Sequence, residues 1–125
     1  MSDVGKGSAR VGSVMSQLAI YGYRCARISA SGQRKGMRRE ERGIDGDLIA
    51  FADRDKSLPH LIVEVGGRGK SARESFAQMT EHGLPPGFRA VVARCVGRRW
   101  RYHHMGSGRS VKSLDELFSA LKEAA

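Results

Sequence analysis

The sequence predicts an α/β domain in which a mixed central sheet is flanked by helices, in the order αβββαββα. Three observations predict it. Leu48-Ile49-Ala50-Phe51 and Leu61-Ile62-Val63-Glu64-Val65 are apolar runs of strand length, separated by a polar turn. Segments with three- and four-residue apolar spacing lie near both ends of the chain, as amphipathic helices do. A further helical segment separates the second apolar run from the next strand-like run, so the chain must cross over there and the sheet becomes mixed.

Residues 8–21 form the first predicted helix, because Val11, Val14, Met15, Leu18 and Ala19 fall on one face and Gly22 provides a stop. Residues 23–29 follow as a strand ended by Ala30-Ser31-Gly32. Residues 33–43 carry five basic and two acidic side chains with no apolar period, and read as a mobile basic loop. Residues 47–52 and 60–65 pair as a hairpin across the turn at 53–57. Gly66-Gly67-Arg68-Gly69 breaks the strand before a helix at 71–82, which Gly83 and Pro85-Pro86-Gly87 stop. Residues 89–96 suit an inner strand and 98–103 an outer one, with Gly97 at the turn between them. Ser113 caps the last helix, Glu116 completes a capping box, and Leu114, Leu117, Phe118 and Leu121 make its buried stripe.

A chain of 125 residues is one domain with one core, here 1–125. Its net charge of +9 points to a polyanionic partner, nucleic acid before an anionic membrane. No apolar run reaches the roughly 20 residues of a spanning helix, and Met1-Ser2-Asp3-Val4-Gly5 lacks an apolar signal core. The expectation is a soluble cytoplasmic protein, in the nucleoid or in a host's cytoplasm, with no membrane partner. Cys25 and Cys95 lack metal-ligand spacing and read as reduced core thiols.

The chemistry sits in the hairpin. Asp47 directly precedes one apolar run and Glu64 interrupts the other, and two carboxylates on neighbouring strands repel unless a cation joins them. Oxygen ligands converging in this way suit a hard divalent ion such as Mg²⁺ or Mn²⁺. At these residues the chain resembles the PD-(D/E)xK nuclease superfamily, most closely the small archaeal and phage type of Holliday junction resolvase. The resemblance runs over about residues 6–96, leaving 97–125 as an outer strand and C-terminal helix. It implies a restriction-endonuclease-like αβββαβ core, a homodimer, and cleavage of branched or junction DNA in DNA recombination. Asp47 matches the metal-binding Asp, with Asp45 a weaker candidate, and Glu64 the acidic residue of the second half-motif. Asp47, Glu64 and the carbonyl of Val65 are thereby implied as metal ligands.

Two positions depart from the family pattern. Where it has a catalytic Lys, two residues after the Glu, this chain has Gly66; the region of the first helix that often carries an extra Glu has no acid. Strand period two sets Glu64 and position 66 on one face about 6–7 Å apart, so Lys placed at 66 is expected to restore activity. Lys70, or Arg68 if the strand continues, would stand in for the missing cation, and Gln78 would reach back from the second helix. Gly66-Gly67-Arg68-Gly69-Lys70-Ser71 fails the count of a phosphate loop, since Val65 stands where its first Gly belongs. No nucleotide cofactor is expected.

Two basic patches flank the carboxylates: Arg34, Lys35, Arg38, Arg39 and Arg42 before them, and Arg98, Arg99, Arg101 and Arg109 after them. They suit phosphate contacts, with the first patch poorly ordered until DNA binds. Trp100, Tyr102, His103 and His104 offer stacking surfaces, although Trp100 suits a cover for the last helix better. A metal-dependent, structure-selective DNA endonuclease is the leading expectation. A catalytically silent nuclease-fold DNA-binding protein and a basic RNA-binding accessory protein are the alternatives.

Overall fold

A computed structural model of the chain describes residues 2–28, 47–55, 57–66, 71–81, 83–104 and 110–124, with the side chains of 2–8, 96 and 124 excepted. Within them the order is α1 (Ser2–Ile20), β1 (Arg24–Arg27), β2 (Leu48–Phe51), β3 (His60–Val65), α2 (Ala72–Met79), β4 (Phe88–Val96), β5 (Arg99–His104), β6 (Ser110–Val111) and α3 (Leu114–Ala124). The fold is α/β, and its six strands form one mixed sheet in the order β1-β2-β3-β4-β5-β6. All neighbours pair antiparallel except β3 and β4, which run parallel because α2 carries the chain back between them.

Strand alternation decides which helix covers which face. Leu48, Ala50, Leu61, Val63, Val91, Ala93 and Tyr102 point to one face, where Val11, Val14 and Leu18 of α1 and Leu114, Leu117, Phe118 and Leu121 of α3 close over them. The opposite face has a smaller cluster: Ile62, Ala90 and Val92 under Met79 of α2, with Ile49, Phe76 and Phe88 at its border. α2 has only two helical turns, so it covers only part of this face. The rest carries the polar side chains that matter below.

Local chemistry explains the element ends. α1 stops in a Schellman motif: Gly22 takes φ +92°, its amide donates to Ala19 O at 3.0 Å, and the Tyr23 amide donates to Leu18 O at 3.2 Å. The Ser71 hydroxyl caps α2 by accepting from the Glu74 amide at 3.1 Å. Ser113 caps α3 in the same way through the Glu116 amide at 3.2 Å, while the Glu116 carboxylate reaches one residue past the cap to the Lys112 amide at 3.1 Å. Gly97, at φ +65°, opens the two-residue β4–β5 turn as a type II′ hairpin requires.

Several boundaries differ from expectation. α1 begins at Ser2 instead of residue 8, since an established helix propagates through Gly5 and Gly7 at about 1 kcal/mol each. α2 ends at Met79 instead of residue 82, where the Thr80 hydroxyl turns back to donate to Phe76 O at 2.7 Å. β1 ends at Arg27, and β6, only two residues long, gives no period to detect. Cys25 is half-buried because β1 is an edge strand, and Cys95 is half-buried as well, so neither is a full core residue. No described helix is long and apolar enough to cross a membrane.

Candidate functional site

Asp47 is fixed by its backbone before its side chain is considered. Its amide donates to Val63 O at 2.9 Å and its carbonyl accepts from the Ile28 amide at 3.1 Å, so both β3 and the β1 side hold it. Leu48 is the first residue of β2 and lies opposite Val63, so Asp47 enters the sheet at the end of that ladder, next to where β3 carries Glu64. Its carboxylate Oδ2 accepts from the Val65 amide at 2.7 Å, a short charge-assisted bond at the end of β3. Asp47 therefore satisfies a backbone donor and lays its carboxylate against the Glu64–Val65 peptide.

Glu64 lies on an inner strand, between β2 and β4, which removes the explanation of an edge-strand charge. Alternation puts it on the face of Ile62, which is the side partly covered by α2. Glu64 is half-buried and its Oε2 atom is buried. Among the described residues no three His, Cys, Asp or Glu side chains form a metal-binding group. The oxygens that could serve an ion among the described residues here are the carboxylates of Asp47 and Glu64, with the Val65 carbonyl as the third that the family resemblance implies. That set of hard oxygens fits Mg²⁺ or Mn²⁺, ions that use few protein ligands and keep several waters, and does not fit zinc.

Gly66 corrects one expectation. β3 ends at Val65, and Gly66 takes φ +97° while its amide donates to Ala93 O at 2.8 Å. A side chain at 66 would sit on left-handed backbone, so period two does not carry the Glu64 face on to this position. Lys at 66 is therefore strained and misdirected, contrary to what the spacing alone suggested. Arg68, Lys70, Asp45, Arg109 and the patch Arg34, Lys35, Arg38, Arg39 and Arg42, with the loop assigned to it, lie outside the described residues.

The second basic patch is split by the hairpin. Arg98 occupies the turn, whereas Arg99 and Arg101 alternate with Trp100 and Tyr102 and so share the face of Glu64. Trp100 and Tyr102 stack at 6.2 Å on the other face, where the Tyr102 hydroxyl donates to Gln17 Oε1 at 2.7 Å. Burial pushes the Tyr102 hydroxyl up to about 12. These two rings are cover for the core, as Trp100's context suggested. Gln78 is half-buried in the last turn of α2, roughly 10 Å along the axis from Ser71 by helical rise. Ser75, one turn nearer the helix start, is fully buried, and its hydroxyl has no hydrogen-bond partner among the described residues.

Sequence reasoning passed over Arg94 and the face assignment of His103. Val92 pairs with Glu64 on one side and with His103 on the other, and Arg94 pairs with Arg101, so all share the face of Glu64. His103 titrates below its ordinary range, first because burial disfavours its charge and then because Arg94 and Arg101 repel it. The signal was present: Arg94 interrupts Ala90-Val91-Val92-Ala93 and Cys95-Val96 as Glu64 interrupts its own apolar run. Comparison of the chain with family models, curated proteins and solved structures returned no match.

Proposed function

We propose that the chain is a metal-dependent, structure-selective DNA endonuclease built on the αβββαβ core of the PD-(D/E)xK superfamily it resembles, acting as a homodimer on branched DNA. The observation that carries this is the Asp47 carboxylate held on the Val65 amide at 2.7 Å, against the Glu64–Val65 peptide of an inner strand. Supporting it are the order α1-β1-β2-β3-α2-β4 and the arginines that share the carboxylate face.

Asp47 and Glu64, with the Val65 carbonyl, would hold Mg²⁺ or Mn²⁺. When bound, the ion supplies positive charge that polarises a phosphate and makes water more acidic. The Val65 amide fixes the rotamer of Asp47, so one ligand is oriented before any ion arrives. The paired carboxylates repel DNA phosphates at that point, and the basic residues on β5 offset this and hold the backbone. Lys70 or Arg68 would place a cation against the scissile phosphate. A silent DNA-binding protein is the second reading, favoured by the left-handed backbone at Gly66, where no lysine side chain is presented.

The test is cleavage of a four-way junction, linear duplex, single-stranded DNA and RNA with Mg²⁺ or Mn²⁺, with chelator controls and a mass measurement in solution. Metal-dependent cutting of branched DNA by a dimer, lost in Glu64→Gln, is the expected result. Tight binding to DNA without cleavage under any divalent ion overturns the enzyme and leaves the second reading. Preference for RNA overturns both.

A further inference from the structure

A second concave surface lies at the other end of the strand that carries Glu64. His60 opens β3 and Phe88, its cross-strand partner, opens β4; a cleft of about 580 Å³ forms at this end of the parallel pair. Its lining joins the apolar Leu58, Leu84, Pro86 and Phe88 to two nitrogen donors, His60 and the exposed Arg89. The imidazole is held on three sides. His60 Nδ1 accepts from the Ala52 amide at 2.9 Å, and the ring packs against Phe51 and Phe88 with centroids 5.6 and 5.0 Å away. An accepting Nδ1 leaves the proton of the neutral ring on Nε2. That atom is neither buried nor hydrogen-bonded among the described residues. The adjoining Cδ2 faces Gly87, another residue of the cleft, where an added Cβ would lie 3.7 Å away. Gly87 is fixed in turn by a type II turn, with φ +84° and the Phe88 amide donating to Pro85 O at 3.2 Å.

A fixed N–H donor in an apolar cleft beside a phenyl ring suits a ring-shaped ligand with an acceptor on its edge. Charge at the cleft adds an anion. The carboxylates of the adjoining loop are engaged, Asp53 by Arg24 at 2.6 Å and Asp55 by Lys122 at 3.8 Å, whereas Arg89 makes no ion pair among the described residues. Resting on the nuclease reading, we infer that this cleft takes one unpaired nucleotide of the DNA strand, with its base against Phe88, a base acceptor on His60 Nε2–H and its phosphate on Arg89. Every base carries an edge acceptor and a π-face, so the contact tolerates sequence while requiring a base free of its stack. Alternation sets His60 on the face of Glu64, four residues or roughly 13 Å along β3. A stacked strand advances about 3.4 Å per nucleotide, so the cleft lies about four nucleotides from a phosphate at the carboxylates. Unpaired nucleotides occur where branched DNA departs from duplex, which ties the cleft to selection of structure.

The experiment uses the full chain in EDTA, so binding is read without metal or cleavage, and compares a short single-stranded oligonucleotide with an abasic strand of equal length. Wild type should prefer the strand with bases by about fivefold to a hundredfold. His60→Asn keeps an oxygen for the Ala52 amide and removes the Nε2 donor; it should cut that preference about threefold to tenfold with a parallel salt slope. Arg89→Gln, on an exposed residue, should keep the preference and lower the slope by about 0.7. Equal binding of the two strands by wild type overturns the cleft, and so does an unchanged preference in a His60→Asn variant that is folded by circular dichroism. If His60→Asn does not fold, a slope unchanged in Arg89→Gln is sufficient to overturn it. A free deoxynucleoside monophosphate that competes as strongly as the oligonucleotide overturns the assignment to a strand. If wild type cuts branched DNA yet shows no preference for bases, the cleft fails and the nuclease reading stands. If it binds no Mn²⁺ and cuts nothing while the preference depends on His60, the nuclease reading fails and the cleft stands.

Discussion

Asp47 has two duties that a pair of substitutions separates. Its carboxylate accepts from the Val65 amide at 2.7 Å, and it is also half of the carboxylate pair. Asp47→Ala removes the acceptor and leaves a half-buried amide at the end of β3. A hydrogen bond to a charged group is worth about 1.5–3 kcal/mol net, and an orphaned donor costs a similar amount, so the loss is about 2 kcal/mol. For a domain of this size that lowers the melting temperature by roughly 6–10 °C. Asp47→Asn keeps an oxygen for the amide and should cost less than about 1 kcal/mol. Both variants lose the charge that a divalent ion needs, so both should fail to bind Mn²⁺ and to cleave, while DNA affinity stays level or rises. Trp100, the single tryptophan, reports urea unfolding by fluorescence, and Mn²⁺ binding is read by electron paramagnetic resonance. Equal stability of the Ala and Asn variants would refute the structural duty, and Mn²⁺ binding by Asp47→Asn at wild-type strength would refute the ligand duty.

Gly66→Lys should lower stability by about 1–2 kcal/mol and fail to raise cleavage, because φ is +97° there; an activity gain in a folded variant defeats this account. Neutralising Arg38, Arg39 and Arg42 together should reduce the salt slope of duplex binding by about 0.9 per lost phosphate contact, and parallel slopes would rule those contacts out. Stability should fall as pH rises above 10. Burial raises the Tyr23 and Tyr102 hydroxyls above their ordinary value, so their contribution is complete below pH 10 and is lost as pH climbs through the folded-state values. Chemical denaturation from pH 8 to 11 checks this, and a profile that Tyr23→Phe fails to flatten counts against it. Ser113→Ala should cost about 1 kcal/mol through the lost α3 cap, read as a shift in the urea midpoint.

Where periodicity or a breaker residue speaks, the sequence was sufficient. The bounds of β3, the stop at Gly22, the turn at Gly97 and the cap at Ser113 all follow from local chemistry. The α/β class and mixed sheet followed from a helix interposed between two strand-like runs. Position 66 misled because period two assumes that extended backbone continues, and a glycine is where it need not. Arg94 escaped notice because its neighbours read as core, and only the register across β3, β4 and β5 shows that it stands on the acidic face. Register is a long-range property, set by the crossover and not by the residues of either strand alone.

The crossover has a consequence for assembly. Spatial order in the sheet repeats chain order, so β1–β3 and β4–β6 are two contiguous blocks of sequence joined edge to edge through α2. The first block brings Asp47 and Glu64, and the second brings Arg94 and Arg101. The strands of the second block carry arginines and no carboxylate, whereas the first block holds both signs, Arg24 and Arg27 of β1 beside Asp47 and Glu64. A folding intermediate with only the later block formed would present a bare cationic hairpin, able to adhere to any polyanion. Docking of the parallel seam therefore does two things in one event: it closes the core and converts an indiscriminate surface into one with an acidic boundary.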